Sequence, residues 1–357
     1  MKKDPEEIFE VKTVVTLLRT VLYLVIGVVV LGGIALLIIS KNSIQKVKAT
    51  HSTAVSSVAH KGKPDSALDQ NRTLWQAPDT SSMPSDEKGK LIRYGKNLVA
   101  YTSEYLGPMG SVARLSNGMN CQNCHLEAGT KPFALDFSVF ISQYPKLNGR
   151  SGKVEPAHER INECMERSMN GKRLKPDGKE MKAILAYMAW VGADHADHKA
   201  GGQSVEKLPY MSRAADPLKG RMVYRSQCQN CHGENGQGLL AVNKKSYVYP
   251  PLWGNKSYND AAGMYRLSNF AGFVKNNMPL GVTYKSPKLS DQEAWDVAAY
   301  VNSKPRGHRD QHNDYKEKDK KPIDFPFGPY QDAFSEQQHK FGPFAVIKSA
   351  NKSHKKN

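Results

Sequence analysis

Cys121, Cys124 and His125 stand in the spacing C-x-x-C-H, and Cys228, Cys231 and His232 repeat it. Two thiols at this spacing can form a pair of thioethers to one edge of a porphyrin, and the histidine that follows is then placed to bind the iron. The repeat predicts two covalently bound c-type haems, haem 1 at Cys121/Cys124 and haem 2 at Cys228/Cys231. A zinc ribbon would pair its C-x-x-C turns across a short connector, whereas 103 residues separate Cys124 from Cys228. A redox dithiol of the thioredoxin kind would need a surrounding βαβ pattern. Five cysteines in 357 residues are also too sparse for a disulfide scaffold.

Each iron then needs a sixth ligand or an open position. For haem 2 the candidate is Met278, 46 residues after His232 in a loop ahead of a helical stretch, with Met264 the weaker choice at 32 residues. A thioether ligand favours ferrous iron and suits a haem that passes electrons on. For haem 1 a comparable distance, 39 residues after His125, falls on the fifth cysteine, Cys164. Pro156 and Gly171 bracket a short helix that puts Arg160, Cys164 and Ser168 on one face, with Arg167 beside them. On spacing alone Met165 or Met169 could bind the iron instead, leaving Cys164 as a small buried hydrophobe. The surrounding charge favours the thiol, because residues 145–174 hold seven basic groups (Lys146, Arg150, Lys153, Arg160, Arg167, Lys172 and Arg173) against four glutamates. Positive neighbours favour a thiolate, and they would hold a small dianion.

The elements that must position these groups repeat as well. Residues 85–105 precede the first motif and residues 216–224 the second, each carrying a Lys-Gly pair, Lys88-Gly89 and Lys219-Gly220, and aromatics at helical intervals. Residues 176–191 and 290–301 close the two copies, each ending around an Ala-Tyr step, Ala186-Tyr187 and Ala299-Tyr300. The fold expected is mainly α, with two tandem class I cytochrome c-like haem domains after an N-terminal transmembrane helix. The expected division is a cytoplasmic N-terminus over 1–19, an anchor over 20–40, a flexible linker over 41–84, a first haem domain over 85–200, a linker over 201–215, a second haem domain over 216–303, and an extended tail over 304–357 that wraps the domains. The tail is basic, with 12 Lys+Arg against 7 Asp+Glu, but its aromatic and proline-rich stretch 323–344 would be awkward in water.

Residues 20–40 are uncharged, and about 20 apolar residues match the thickness of a bilayer core. A cleaved signal peptide is the rival reading, and the length of the run and the acidic residues Asp4, Glu6, Glu7 and Glu10 before it speak against that. Flanking charge does not orient the span, since four basic residues precede it and three follow closely. Haem attachment takes place outside the cytoplasm, which puts the N-terminus inside and the haem domains in the periplasm or on the extracytoplasmic face. The formal charge of +17 then steers anions or an acidic redox partner rather than nucleic acid.

With these motifs in view, the chain resembles the dihaem thiosulfate dehydrogenases, which also act as tetrathionate reductases. The likeness runs over residues 85–347 and rests on Cys121-x-x-Cys124-His125-Leu-x-Ala-Gly-Thr, Arg160-Ile-Asn-x-Cys164-x-x-Arg167-Ser168-Met-Asn-Gly-Lys172, the second C-x-x-C-H, Asn-Met278-Pro-Leu-Gly and two Pro-Phe motifs of the tail. The resemblance implies His125 and Cys164 as ligands of a catalytic haem 1, with Arg150, Arg160, Ser168 and Lys172 around the substrate, and His232 and Met278 as ligands of a relay haem 2. Asn277 stands where some members carry a lysine that competes for iron. The reaction so implied joins two thiosulfates into tetrathionate and releases two electrons, or runs in reverse, with a c-type cytochrome or membrane redox protein as electron partner; thiol-disulfide chemistry suggests that Cys164 leaves the iron and forms a mixed disulfide with one thiosulfate, which the second then attacks. Two other readings remain: a tethered dihaem electron shuttle between a quinol-oxidising complex and an oxidase, with no substrate of its own, and the haem-bearing subunit of a multi-protein sulfur-oxidising complex.

Overall fold

The computed structural model describes Tyr23, residues 75–193 and residues 204–354. The run 20–40 lies outside these residues apart from Tyr23; among the described residues no helix is long and apolar enough to cross a membrane. The described residues from 75 onward form one compact unit.

Seven helices of ten or more residues are described: α1 (Glu87–Ala100), α2 (Ala157–Arg167), α3 (Lys179–Val191), α4 (Pro217–Gln227), α5 (Leu267–Asn277), α6 (Asp291–Asn302) and α7 (Phe344–His354). The strands are two short antiparallel hairpins, β1 (Lys146–Asn148) with β2 (Lys153–Glu155), and β3 (Leu239–Leu240) with β4 (Tyr247–Tyr249). Helix starts follow capping chemistry. The Asp86 carboxylate accepts from Gly89 N at 2.9 Å ahead of α1, and Ser290 and Glu293 form a reciprocal capping box ahead of α6.

The two halves are built on the same crossing of helices. α1 packs on α3 where Gly95 faces Ala183: a Cβ at Gly95 would lie 1.9 Å from the Ala183 carbonyl oxygen and 2.8 Å from Tyr187 Cβ. α4 packs on α6 through Gly220, where a Cβ would lie 1.9 Å from the Asp296 carbonyl oxygen and 2.9 Å from Tyr300 Cβ. The internal repeat therefore aligns Gly220 with Gly95, not with Gly89 as the Lys-Gly pairs suggest; Gly89 instead lies against the Pro84 carbonyl at the start of α1. Because the obstructing atoms are backbone, no rotamer change relieves them. Gly95→Val and Gly220→Val are each expected to cost about 3 kcal/mol of stability, read as a lowered midpoint in urea denaturation of the haem-loaded protein.

Two apolar cores lie beneath these crossings. The first gathers Ile92, Leu98, Leu106, Met165, Met181 and Tyr187, and the second Tyr224, Leu267, Phe270, Trp295, Phe344 and Ile347. Both cores draw on residues assigned in the sequence to linkers. Trp75 and Met83 are buried in the first, so that core includes residues before 85, and Leu208 and Ala215 are buried in the second, where Ala215 N donates to Phe341 O at 2.8 Å. The reason is local composition: these are the apolar residues of otherwise polar stretches, and burying them is favourable.

The tail differs from an extended chain in its last part, where the short helix Glu336–Phe341 and α7 form. Ser335 caps the first, accepting from Gln338 N, and burial of Phe341, Phe344 and Ile347 in the second core favours the helical spacing. Its earlier part reaches the first half: Asp314 pairs with Arg167 of α2, and Tyr315 N donates to Arg150 O at 2.8 Å. The seam between the halves is held by buried amides. Across it Asn277 Nδ2 donates to Phe133 O at 2.9 Å, besides Phe273 O of its own helix at 3.0 Å, and Asn259 Nδ2 donates to Glu166 O at 2.9 Å.

Candidate active site

A cavity of about 310 Å³ in the first half is lined by Cys121, Cys124 and His125 from the first motif and by Arg160, Cys164 and Ser168 from α2 and its C-cap. Apolar walls come from Val99, Leu106, Ile184 and Met188. A second cavity, about 150 Å³, brings Cys228, Cys231 and His232 together with Met278, which follows α5 directly. Met119, Cys124 and Met264 line both cavities, so the two adjoin.

Both histidines are held in one tautomer. The His125 ring faces the Leu135 carbonyl through Nδ1 at 2.5 Å, and His232 faces the Pro250 carbonyl through Nδ1 at 2.8 Å. A carbonyl can only accept, so each Nδ1 carries the proton and each Nε2 keeps a lone pair. Burial pushes His125 down to about 4 and also lowers His232, so the rings are neutral at pH 7. Gly129 shapes the first of these seats: it has φ +87°, and a Cβ there would lie 2.2 Å from the Phe137 ring, which packs 4.7 Å from His125. Two thiols, a neutral imidazole and an apolar slot are what a thioether-bound haem requires, and each cavity offers that set.

Around Cys164 the polar groups form a chain. Arg160 sits one turn earlier on α2, and its Nη1 donates to Cys164 Sγ at 3.3 Å and approaches Glu163 Oε2 at 3.4 Å. Glu163 also pairs with Arg150 Nη1 at 3.6 Å and accepts from Asn148 Nδ2 at 3.2 Å. The Cys164 sulfur, with help from Glu163, raises Arg160 above its ordinary value despite the opposing effect of burial. For Glu163, burial alone would raise the carboxyl, but Arg160 and Arg150 outweigh it and hold it low, so it is ionised at neutral pH.

Arg150 comes from the four-residue turn joining β1 to β2, where Asn148 Oδ1 accepts its backbone N–H at 2.9 Å. It does not line the haem 1 cavity. It lines an adjoining polar vestibule of about 370 Å³, which shares Tyr144, Lys146, Arg160, Gly263 and Asn269 with that cavity.

Comparison with known proteins agrees with this division. Residues 111–195 match the family model for the SoxA/TsdA cytochrome c domain, and residues 215–301 match that for subunit III of cbb3-type cytochrome c oxidase. A thiosulfate dehydrogenase of Stutzerimonas stutzeri is 34% identical over 277 residues, 77% of this chain and 82% of that protein. One from Allochromatium vinosum is 34% identical over 263 residues, covering 71% and 90%. The chain belongs to the thiosulfate dehydrogenase family. It carries two covalently bound c-type haems, one in each cytochrome c domain. The solved structure of a thiosulfate dehydrogenase (TsdBA) from Marichromatium purpuratum aligns at a TM-score of 0.59 and 31% identity, over 64% of this chain and 49% of that one. This chain thus spans about half the length of that structure.

Two residues placed at the site by sequence stand elsewhere in this family member. Arg167 turns away from Cys164: its Nη1 and Nη2 donate to Asp314 at 2.6 and 2.9 Å, a fork that a planar guanidinium fits well. Lys172 lies past the end of α2, exposed, with its backbone N–H on Leu115 O, and it lines neither the cavity nor the vestibule. Asn277 is fully buried in the seam with its amide spent on two carbonyls. The residues that the sequence did not point to are Tyr144, Arg266, Asn269, Asp314 and Tyr315. The last four lie beyond the first domain, and no local pattern marks them as neighbours of Cys164.

Proposed function

We propose that this chain oxidises thiosulfate to tetrathionate at the Cys164 cavity and passes the electrons to haem 2, and that the same site reduces tetrathionate when electrons are supplied. The observation that carries this reading is the Cys164 thiol on the wall of the His125 cavity with Arg160 Nη1 at 3.3 Å, opening onto a vestibule rich in cations. His125 and Cys164 would hold the haem 1 iron, and His232 and Met278 that of haem 2. Met165 and Met169 line the same cavity, but Arg160 beside the Cys164 sulfur favours a thiolate ligand there; Met278 lines the second cavity alone, whereas Met264 borders both, which favours Met278. When bound, the haems supply two one-electron acceptors, enough for the two electrons of the reaction.

The residues do the rest. The Cys164 thiolate forms a sulfur–sulfur bond to the terminal sulfur of one thiosulfate, giving Cys–S–S–SO3⁻ and releasing two electrons. A second thiosulfate attacks the sulfonate-bearing sulfur, returning Cys164 as thiolate and releasing tetrathionate, so that charge and atoms balance over the two steps. Arg160 and Arg150 bind sulfonate oxygens with charge-assisted hydrogen bonds and offset the repulsion between two dianions. Ser168, on the cavity wall, supplies a neutral donor.

Residues 20–40 would anchor the chain in the cytoplasmic membrane, with the N-terminus inside and both haem domains outside; support comes from the uncharged run and from the site of haem attachment. A c-type cytochrome or membrane redox protein would then take electrons from haem 2. The direct test adds thiosulfate to the oxidised, purified protein. Reduction of the haem bands with formation of tetrathionate is expected, and a protein that stays oxidised is an electron shuttle with no substrate of its own.

A further inference from the structure

Two dianions must meet in this reaction, yet among the described residues only two cationic side chains, Lys146 and Arg160, line the cavity around Cys164. The vestibule offers more, and from a different source. Arg266 stands at the N-cap of α5, in the second half of the chain. Its Nε and Nη2 both donate to Asp324, at 2.8 and 2.6 Å, leaving Nη1 without a protein partner among the described residues. Asn269, one turn into α5, donates one amide hydrogen to Gly263 O at 2.9 Å and lines both the cavity and the vestibule. From the first half come Lys146 of β1, which also lines both, and Arg150, whose guanidinium lies over the Tyr315 ring at 5.9 Å.

The local charge is net positive. Lys146, Arg150, Arg160, Arg167 and Arg266 are balanced by Glu163, Asp314 and Asp324, which leaves two positive charges before Cys164 is counted. Asp324 is almost wholly buried and accepts from Ser268 as well, so Arg266 is held rigidly toward the opening.

We propose that Lys146, Arg150, Arg266 and Asn269 form an outer sulfur-oxyanion subsite, assembled across the seam between the two halves, which holds the second thiosulfate or the distal sulfonate of tetrathionate. The identity of the ligand rests on the function proposed above. The division follows the lining: Ser168 belongs to the inner cavity alone, Arg150 and Arg266 to the vestibule alone, and Lys146, Arg160 and Asn269 border both. A substrate at Cys164 and one in the vestibule would therefore be adjacent without sharing all their cations.

The test is calorimetric binding of tetrathionate to the full-length, fully oxidised haem-loaded protein, which needs no turnover. Lys146 is exposed, so Lys146→Glu should fold normally, and it is expected to weaken tetrathionate by about tenfold or more. Asn269→Leu is expected to weaken it by about threefold. Arg266→Gln should do at least as much as Lys146→Glu, but it also leaves Asp324 unpaired, so Lys146→Glu is the deciding variant. Lys153→Glu makes the same charge change on β2, outside both cavities, and should change affinity by less than about twofold. The proposal is overturned if Lys146→Glu binds as the wild type does, if Lys153→Glu weakens binding equally, or if the wild type does not bind tetrathionate. Binding lost on Lys146→Glu alone, in a protein that thiosulfate fails to reduce, would keep the subsite and discard the enzymatic reading.

Discussion

Cys164→Met is expected to lower thiosulfate oxidation by about a thousandfold or more, while the spectrum of haem 2 stays as in the wild type. The substitution is mild sterically, because the wall already accommodates Met165, Met169 and Met188. Methionine can still bind iron, so the haem 1 pocket remains closed. What it cannot do is form a sulfur–sulfur bond, since its sulfur already carries two carbons. If the thiol merely packed, the variant would turn over at nearly the wild-type rate. Steady-state oxidation of thiosulfate with an artificial acceptor, alongside quantification of tetrathionate, separates the two outcomes, and more than a tenth of wild-type activity in the Met variant would refute the covalent route.

Arg160→Gln is expected to cost about a hundredfold in kcat/KM, less than loss of the thiol because it removes charge stabilisation and not the bond-forming atom. Among the described residues Arg160 is the only arginine that borders both Cys164 and the vestibule. Arg160→Lys keeps the charge but loses the planar fork, and should fall between the two. Glu163 retains Arg150 and Asn148 in either variant, so the hairpin and α2 should stay in register. Equal rates for Gln, Lys and wild type would place the substrate elsewhere.

How far the sequence reaches depends on how local each feature is. The haem-binding residues, the two-copy plan and Arg160 beside Cys164 follow from short spacings, and the structure keeps these residues together. The register of the repeat does not, because a Lys-Gly pair looks alike in both copies while the close helix crossing needs Gly95. Arg167 shows the same limit: helical geometry puts it near Cys164, but Asp314, 147 residues later, turns it away. Arg266 and Asn269 carry no sign of their role in their own neighbourhood, since only the seam between the halves brings α5 to the vestibule. Trp75 and Leu208 are hidden for a different reason, as isolated apolar residues inside polar stretches that look like tethers.

Asp314 and Tyr315 lie outside both stretches that match family models, which end at residues 195 and 301. Yet Asp314 grips Arg167, and Tyr315 hydrogen-bonds the backbone of Arg150. A chimera that exchanged the two modules between relatives and omitted this strap would load both porphyrins and look intact by colour, but Arg150 and Arg167 would lose partners that hold them in place. Portability of the haem-binding units and portability of the catalyst are therefore different properties of this chain.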